Sequence, residues 1–157
     1  MKKFELTAEF VTNVFGKKLF RIKALVAFGN VEKGELGGFI EKEDNLSHDG
    51  NAWVYGNAQV SGDAQVYGNA RVSGNAWVSG NADYAVVKGF GRCFRTTTFF
   101  RCKDKILRVQ CGCFYGDLAQ FREIVKKTHG DRKYAKEYLA IADLMELHFS
   151  DECGGEQ

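Results

Sequence analysis

From Asn51 the chain falls into six-residue lines: NAWVYG, NAQVSG, DAQVYG, NARVSG, NAWVSG and NADYAV. Ala recurs at Ala52, Ala58, Ala64, Ala70, Ala76 and Ala82, and Val at Val54, Val60, Val66, Val72 and Val78, with Tyr84 next in register. Alternation along a strand points such residues to one side. It does not explain a Gly-Asn or Gly-Asp pair at the end of every line. Those pairs mark corners, because Gly accepts positive φ and Asn or Asp tolerates left-handed backbone while bonding nearby amides. The repeat therefore describes short strands separated by regular corners, with small Ala and medium Val inside. A six-residue line cannot bury a face alone, so successive coils must stack. Eighteen Gly and no Pro in 157 residues agree with one corner geometry used many times.

These lines resemble the hexapeptide-repeat family, whose members form a left-handed parallel β-helix with three short strands per coil. The resemblance implies that Val54 lies over Val72 and Val60 over Val78, and that Asn51/Asn69 and Asn57/Asn75 form short ladders. Upstream the repeat degenerates. Asn45 to Gly50 keeps the corners, with Leu46 and His48 expected inside, and the line from Phe39 offers Ile40.

A solenoid this short needs both ends covered, since each terminal coil exposes unpaired backbone and apolar surface. The expected fold is mainly β with C-terminal α. An N-terminal β segment spans 1–38, the hexapeptide β-helix 39–87, a β-hairpin with a helical cap 88–149, and a loose tail 150–157. In the first part Phe20, Ile22, Ala24 and Val26 alternate as a strand, and Gly37-Gly38 reads as a turn. In the third, Phe94–Cys102 and Ile106–Cys113 read as a hairpin around Lys103-Asp104. Asp117 and Gln120 have capping-box spacing before Leu118, Phe121 and Val125, and Gly130 can end that helix. Asp131 is placed to cap a second helix, striped by Tyr134, Tyr138, Ile141 and Met145.

The segments GELGGFIEKEDNLS (34–47) and CGCFYGDLAQFREIVKKTHG (111–130) flank the repeat as in a group of small phage and prophage proteins. The chain is similar to that group along nearly its whole length. With no apolar run long enough to cross a bilayer and no export signal, the expected place is the bacterial cytoplasm, away from membranes. The five Cys are then reduced thiols.

Several chemistries fit poorly. Hexapeptide acyltransferases resemble one another in having more coils, a projecting loop and a His general base between subunits. This chain inserts no loop between Asn51 and Val86, and His48 is expected to point inward. A three-His metal site would need His48, His129 and His148 together, yet two of these fall on helices. Cys93, Cys102, Cys111 and Cys113 are weak zinc candidates, because C-x-C on a strand lacks the usual knuckle spacing. No phosphate-cradling G-x-x-x-x-G-K motif is present. No catalytic residue, metal or cofactor is assigned.

Binding remains. Between Lys88 and Lys136 there are 13 Lys/Arg against 4 Asp/Glu, whereas Gly29 to Asp63 carries 2 against 7. Such an asymmetry attracts an anion to one half. Arg92, Arg95, Arg101, Lys103, Lys105 and Arg108 cluster around the hairpin; Lys126, Lys127, Arg132 and Lys133 lie between the helices. Outward repeat positions carry Trp53, Tyr55, Tyr67 and Trp77, which either pack against the flanks or another subunit, or stack on a ligand. The candidate ligand-binding residues are Trp53, Tyr55, Arg71, Trp77, Arg95, Arg101 and Arg108, with a nucleotide or an acidic protein face as the anion. The resemblance implies a homo-oligomer, a trimer foremost. By analogy with its phage setting, the leading expectation is a non-catalytic protein that captures a host factor in counter-defence. That factor is an immune protein or a nucleotide immune signal. An acyltransferase-like enzyme and a structural virion or filament component are the alternatives.

Overall fold

In the computed structural model, which describes residues 2–80, 83–91 and 95–150, Val54, Val60, Val66, Val72 and Val78 are all fully buried. Ala52, Ala58, Ala64, Ala70 and Ala76 join them in a single core. Complete burial is worth about 1.5–3 kcal/mol for each Val, so the repeat supplies its own interior. Ala82 lies outside the described residues.

The chain begins with β1 (Phe4–Thr12), β2 (Lys18–Ala24) and β3 (Leu36–Ile40), joined antiparallel. The repeat then contributes β4 (Trp53–Val54), β5 (Gln59–Val60), β6 (Arg71–Val72) and β7 (Trp77–Val78), each of two residues. Their ladders are parallel, with Val54 on Val72 and Val60 on Val78, as the repeat period requires. A third side is marked by the parallel bridge between Leu46 and Val66. Stacked coils of a short β-solenoid result.

The first coil departs from the period. Ile40 pairs with Val60 and Leu46 with Val66, both twenty residues apart rather than eighteen, because two extra residues between Ser47 and Asn51 lengthen the line that follows Leu46. Leu46 thus takes the place a Val holds in later lines, and His48 slides to a corner instead of pointing inward. The His48 ring stacks on Phe4 at 4.2 Å. Asn45 is fully buried but satisfied, its amide donating to the Gly62 and Ala64 carbonyls at 3.1 and 2.8 Å.

Gly37 and Gly38 are not a turn but the middle of β3. A Cβ at Gly37 would lie 2.6 Å from the Val54 carbonyl oxygen, and one at Gly38 2.6 Å from that of Ala58. They are glycines because the coil presses against the strand. The N-terminal hairpin closes this end of the core with Phe4, Ile22 and Val31.

The far end is closed by a four-stranded antiparallel sheet of β8 (Tyr84–Phe90), β9 (Arg95–Arg101), β10 (Leu107–Cys111) and β11 (Phe114–Asp117). It is twice the expected hairpin, since β8 grows directly out of the last coil. β9 carries the consecutive buried run Thr97-Thr98-Phe99-Phe100. Both of its faces are covered: Phe100 enters the solenoid core, while Phe99 enters a second core under the helices. The helices are α1 (Leu118–His129), opened by the expected Asp117/Gln120 capping box, and α2 (Lys133–His148). The cap position of α2 is Arg132 rather than Asp131. Among the described residues no helix is long and apolar enough to cross a membrane.

Lys3 is buried in the N-terminal cap, where its Nζ donates to the Ala52 carbonyl at 2.8 Å and lies 4.5 Å from the Phe28 ring centroid. Burial lowers its pKa to about 8, and Asp49 opposes the shift only in part. The unfolded chain therefore holds this proton up to about pH 10.5 while the folded chain releases it near 8. Unfolding free energy should rise across that window. Urea denaturation from pH 7.5 to 9.5 should show the rise in the wild type, with Lys3→Met flattening it.

Candidate functional site

The seven candidate residues separate into three environments. Tyr55, Arg71 and Arg95 meet in one groove of about 230 Å³, where Asn30, Asn51, Asn69, Thr96 and Gly112 also contribute. Trp77 and Arg101 share a different hollow. Trp53 and Arg108 are committed to structure.

Trp53 is fully buried, the outward position of its strand being roofed by the N-terminal segment. Phe4 and Phe28 meet it edge-on at 6.4 and 5.2 Å. It is a core residue and presents no surface to a ligand. Arg108 forms a two-pronged pair with Asp104 at 2.8 and 2.9 Å, which holds the Asp104 carboxyl down at about 2. The pair braces the β9–β10 turn.

The groove is built where a solenoid corner meets the β10–β11 turn. Stacking of β4 on β6 sets Arg71 beside Tyr55, the guanidinium carbon 5.7 Å from the ring centroid. Nη1 of Arg71 donates to the Gly112 carbonyl at 3.0 Å. Its backbone amide donates to Thr98 Oγ1 at 3.1 Å, fixing the residue against the cap sheet. Nε of Arg71 is buried without an acceptor. The Tyr55 hydroxyl is pushed above its ordinary pKa by burial, a shift that the Arg71 charge partly offsets. Arg95 enters from β9 and packs over Gly112, where any side chain would collide with its guanidinium.

The asparagine ladders differ in a way that corner formation alone does not explain. Asn57 accepts a hydrogen bond from Arg21 at 3.2 Å, and Asn75 accepts one from the Tyr115 hydroxyl at 3.2 Å. The side chains of Asn51 and Asn69, which line the groove, make no hydrogen bond with any described residue. Two guanidiniums, three amide side chains and no carboxylate line this surface among the described residues. Such a donor set is complementary to an oxyanion.

The described cysteines do not converge. Cys102 belongs to the solenoid core and Cys111 to the helix-side core, on opposite sides of the cap sheet. Cys113 is in the two-residue turn after β10 rather than on a strand. Cys93 lies outside the described residues. Burial pushes the Cys102 thiol upward. No three potential metal ligands cluster among the described residues. His48 is held at both ring nitrogens, accepting at Nδ1 from the Lys3 amide (3.0 Å) and meeting Glu43 through Nε2 (2.6 Å). In this arrangement it has no lone pair for a substrate.

A family model described as "YdcK Beta solenoid repeat" matches residues 64–82. The repeat is of the β-solenoid type. That match includes β6 and β7, each of which is one partner of a parallel ladder. No curated protein matches the chain.

Tyr55, Arg71 and Arg95 were named from the sequence as candidate ligand-binding residues. That reading missed Asn51 and Asn69 as groove residues, although their ladder was visible. It also missed Gly112, whose carbonyl reaches Arg71 across 41 residues.

Proposed function

We propose that the protein is a non-catalytic binding protein of phage or prophage origin that captures an anionic host molecule. The ligand class is a phosphate-bearing nucleotide, whose phosphate occupies the Tyr55–Arg71–Arg95 groove. The observation that supports this reading is the lining itself, with two guanidiniums, uncommitted Asn amides and no opposing carboxylate among the described residues. Its volume lies below the range of drug-sized pockets, which suits a phosphate group better than a whole nucleotide. Capture without turnover needs only preorganised contacts, and Arg71 is anchored to Gly112 and Thr98 before any ligand arrives.

In the same reading the coils wind left-handed, as in hexapeptide proteins, and the chain acts as a homotrimer in the host cytoplasm. Tyr67, 66% exposed beside Val86, is the surface assigned to self-association.

Titration calorimetry with inorganic pyrophosphate tests the groove. The wild type should bind, and Arg71→Gln should weaken binding by about 10–100-fold, equivalent to about 1.4–2.8 kcal/mol. Absence of binding by the wild type, or equal affinity in the variant, would remove the groove from the proposal.

A further inference from the structure

Apart from that groove, a hollow of about 360 Å³ lies on the β5–β7 side of the solenoid, within the size range of small-molecule pockets. The tip of the β1–β2 hairpin bounds it on one side and the β9–β10 turn on the other. Its chemistry comes from Phe15, Trp77, Arg101 and Lys105, with Ser61 and Ser79 alongside.

Lys105 is the informative residue. Twelve glycines among the described residues have positive φ, and Lys105, at φ 67°, is the one described residue of another type that does. A Cβ in the left-handed region costs conformational energy that glycine avoids. This chain uses glycine freely elsewhere, so a lysine here indicates that its side chain is needed. The turn is made rigid around it. Asp104 accepts from the Ile106 amide at 3.1 Å and from Arg108 twice, while the Lys105 amide donates to the Cys102 carbonyl at 2.9 Å.

The opposite wall is aromatic. Phe15 is 76% exposed at the hairpin tip, where its ring is not accounted for by burial. Trp77 occupies an outward repeat position and lines the same hollow. Between them Asp83 is already committed, pairing with Arg101 Nε at 3.2 Å and accepting from the Ser79 amide and hydroxyl at 2.9 Å. The hollow therefore combines an exposed Phe15 ring and a half-buried Trp77 ring with a lysine that makes no ion pair to any described residue.

We propose that this hollow is a second ligand site, taking a small molecule that carries both a planar aromatic ring and a phosphate, the class represented by a nucleoside monophosphate. Phe15 and Trp77 offer stacking surfaces, and Lys105, with Arg101 beside it, meets the phosphate. The site does not depend on Arg71 or Tyr55.

The test is titration calorimetry with adenosine monophosphate, adenosine and inorganic phosphate, paired with thermal unfolding. The wild type should bind the monophosphate, and adenosine and phosphate should each bind at least about tenfold more weakly. Lys105→Gly should unfold at an equal or higher temperature, since it relieves backbone strain, yet bind the monophosphate about tenfold more weakly. Trp77→Ala should weaken it similarly, whereas in Arg71→Gln the binding that depends on Lys105 and Trp77 should persist, which separates this site from the first groove. No saturable binding by the wild type, an unchanged affinity in Lys105→Gly, or a lowered unfolding temperature for that variant would each overturn the proposal. Loss of binding in Arg71→Gln would do the same.

Discussion

Trp53→Ala should lower the unfolding free energy by about 3–5 kcal/mol, the range for deleting a large aromatic from a packed interior. Trp53 is the largest fully buried side chain, and Phe4, Phe28 and Gly37 are shaped around it. The cap and the solenoid would part at this point, so the loss should appear as a lower urea midpoint. Trp53→Phe should cost much less. It keeps most of the ring volume and removes an indole Nε1 that is buried with no acceptor. Any ligand binding lost in Trp53→Ala should return when the measurement is made on the fraction that remains folded. A Trp53→Ala protein of near wild-type stability would contradict the buried placement.

The second large effect concerns two corner glycines that share one backbone angle. Gly56 and Gly62 both have φ 61°. A Cβ at Gly56 meets nothing within 4 Å, whereas one at Gly62 falls onto the Ser79 carbonyl oxygen of the coil above. Gly56→Ala should therefore cost only the left-handed penalty of about 1–2 kcal/mol. Gly62→Ala adds a clash between backbones that only a separation of the coils can relieve, bringing its cost to about 3 kcal/mol or more. Urea denaturation of the two variants side by side checks this, and equal losses would mean that the coils are not in contact there.

The stacking was legible because a regular period carries its own register. Val54 and Val72 hold the same place in two lines separated by three repeats, so their pairing follows from counting alone. Where the count changes, the reading failed. The two extra residues between Ser47 and Asn51 put Leu46 in a Val position and took His48 out of the interior. The capping box at Asp117 was readable for the opposite reason, being a local contact between residues three apart.

Trp53 was misassigned because alternation tells which side of a strand a residue faces, not what covers that side. Its roof comes from residues near Phe4 and Phe28, far away in sequence. Arg108 was misassigned although its partner is only four residues away, an ion pair that local spacing could have disclosed. The groove could be read only in part. Tyr55 and Arg71 are brought together by the repeat, but Arg95 and Gly112 arrive through the cap sheet, and no periodicity encodes that meeting. Lys105 left a faint trace: a turn tight enough to need positive φ, with a lysine where glycine or asparagine is usual.

Native mass spectrometry of the full-length protein purified from host cells, wild type beside Arg71→Gln, tests the capture directly. The account predicts that the wild type carries a chemically intact anionic small molecule and that the Arg71→Gln protein, folded and in the same oligomeric state, arrives without it. A wild type that carries nothing, a variant that keeps the same mass, or a retained molecule chemically altered by the protein would contradict it.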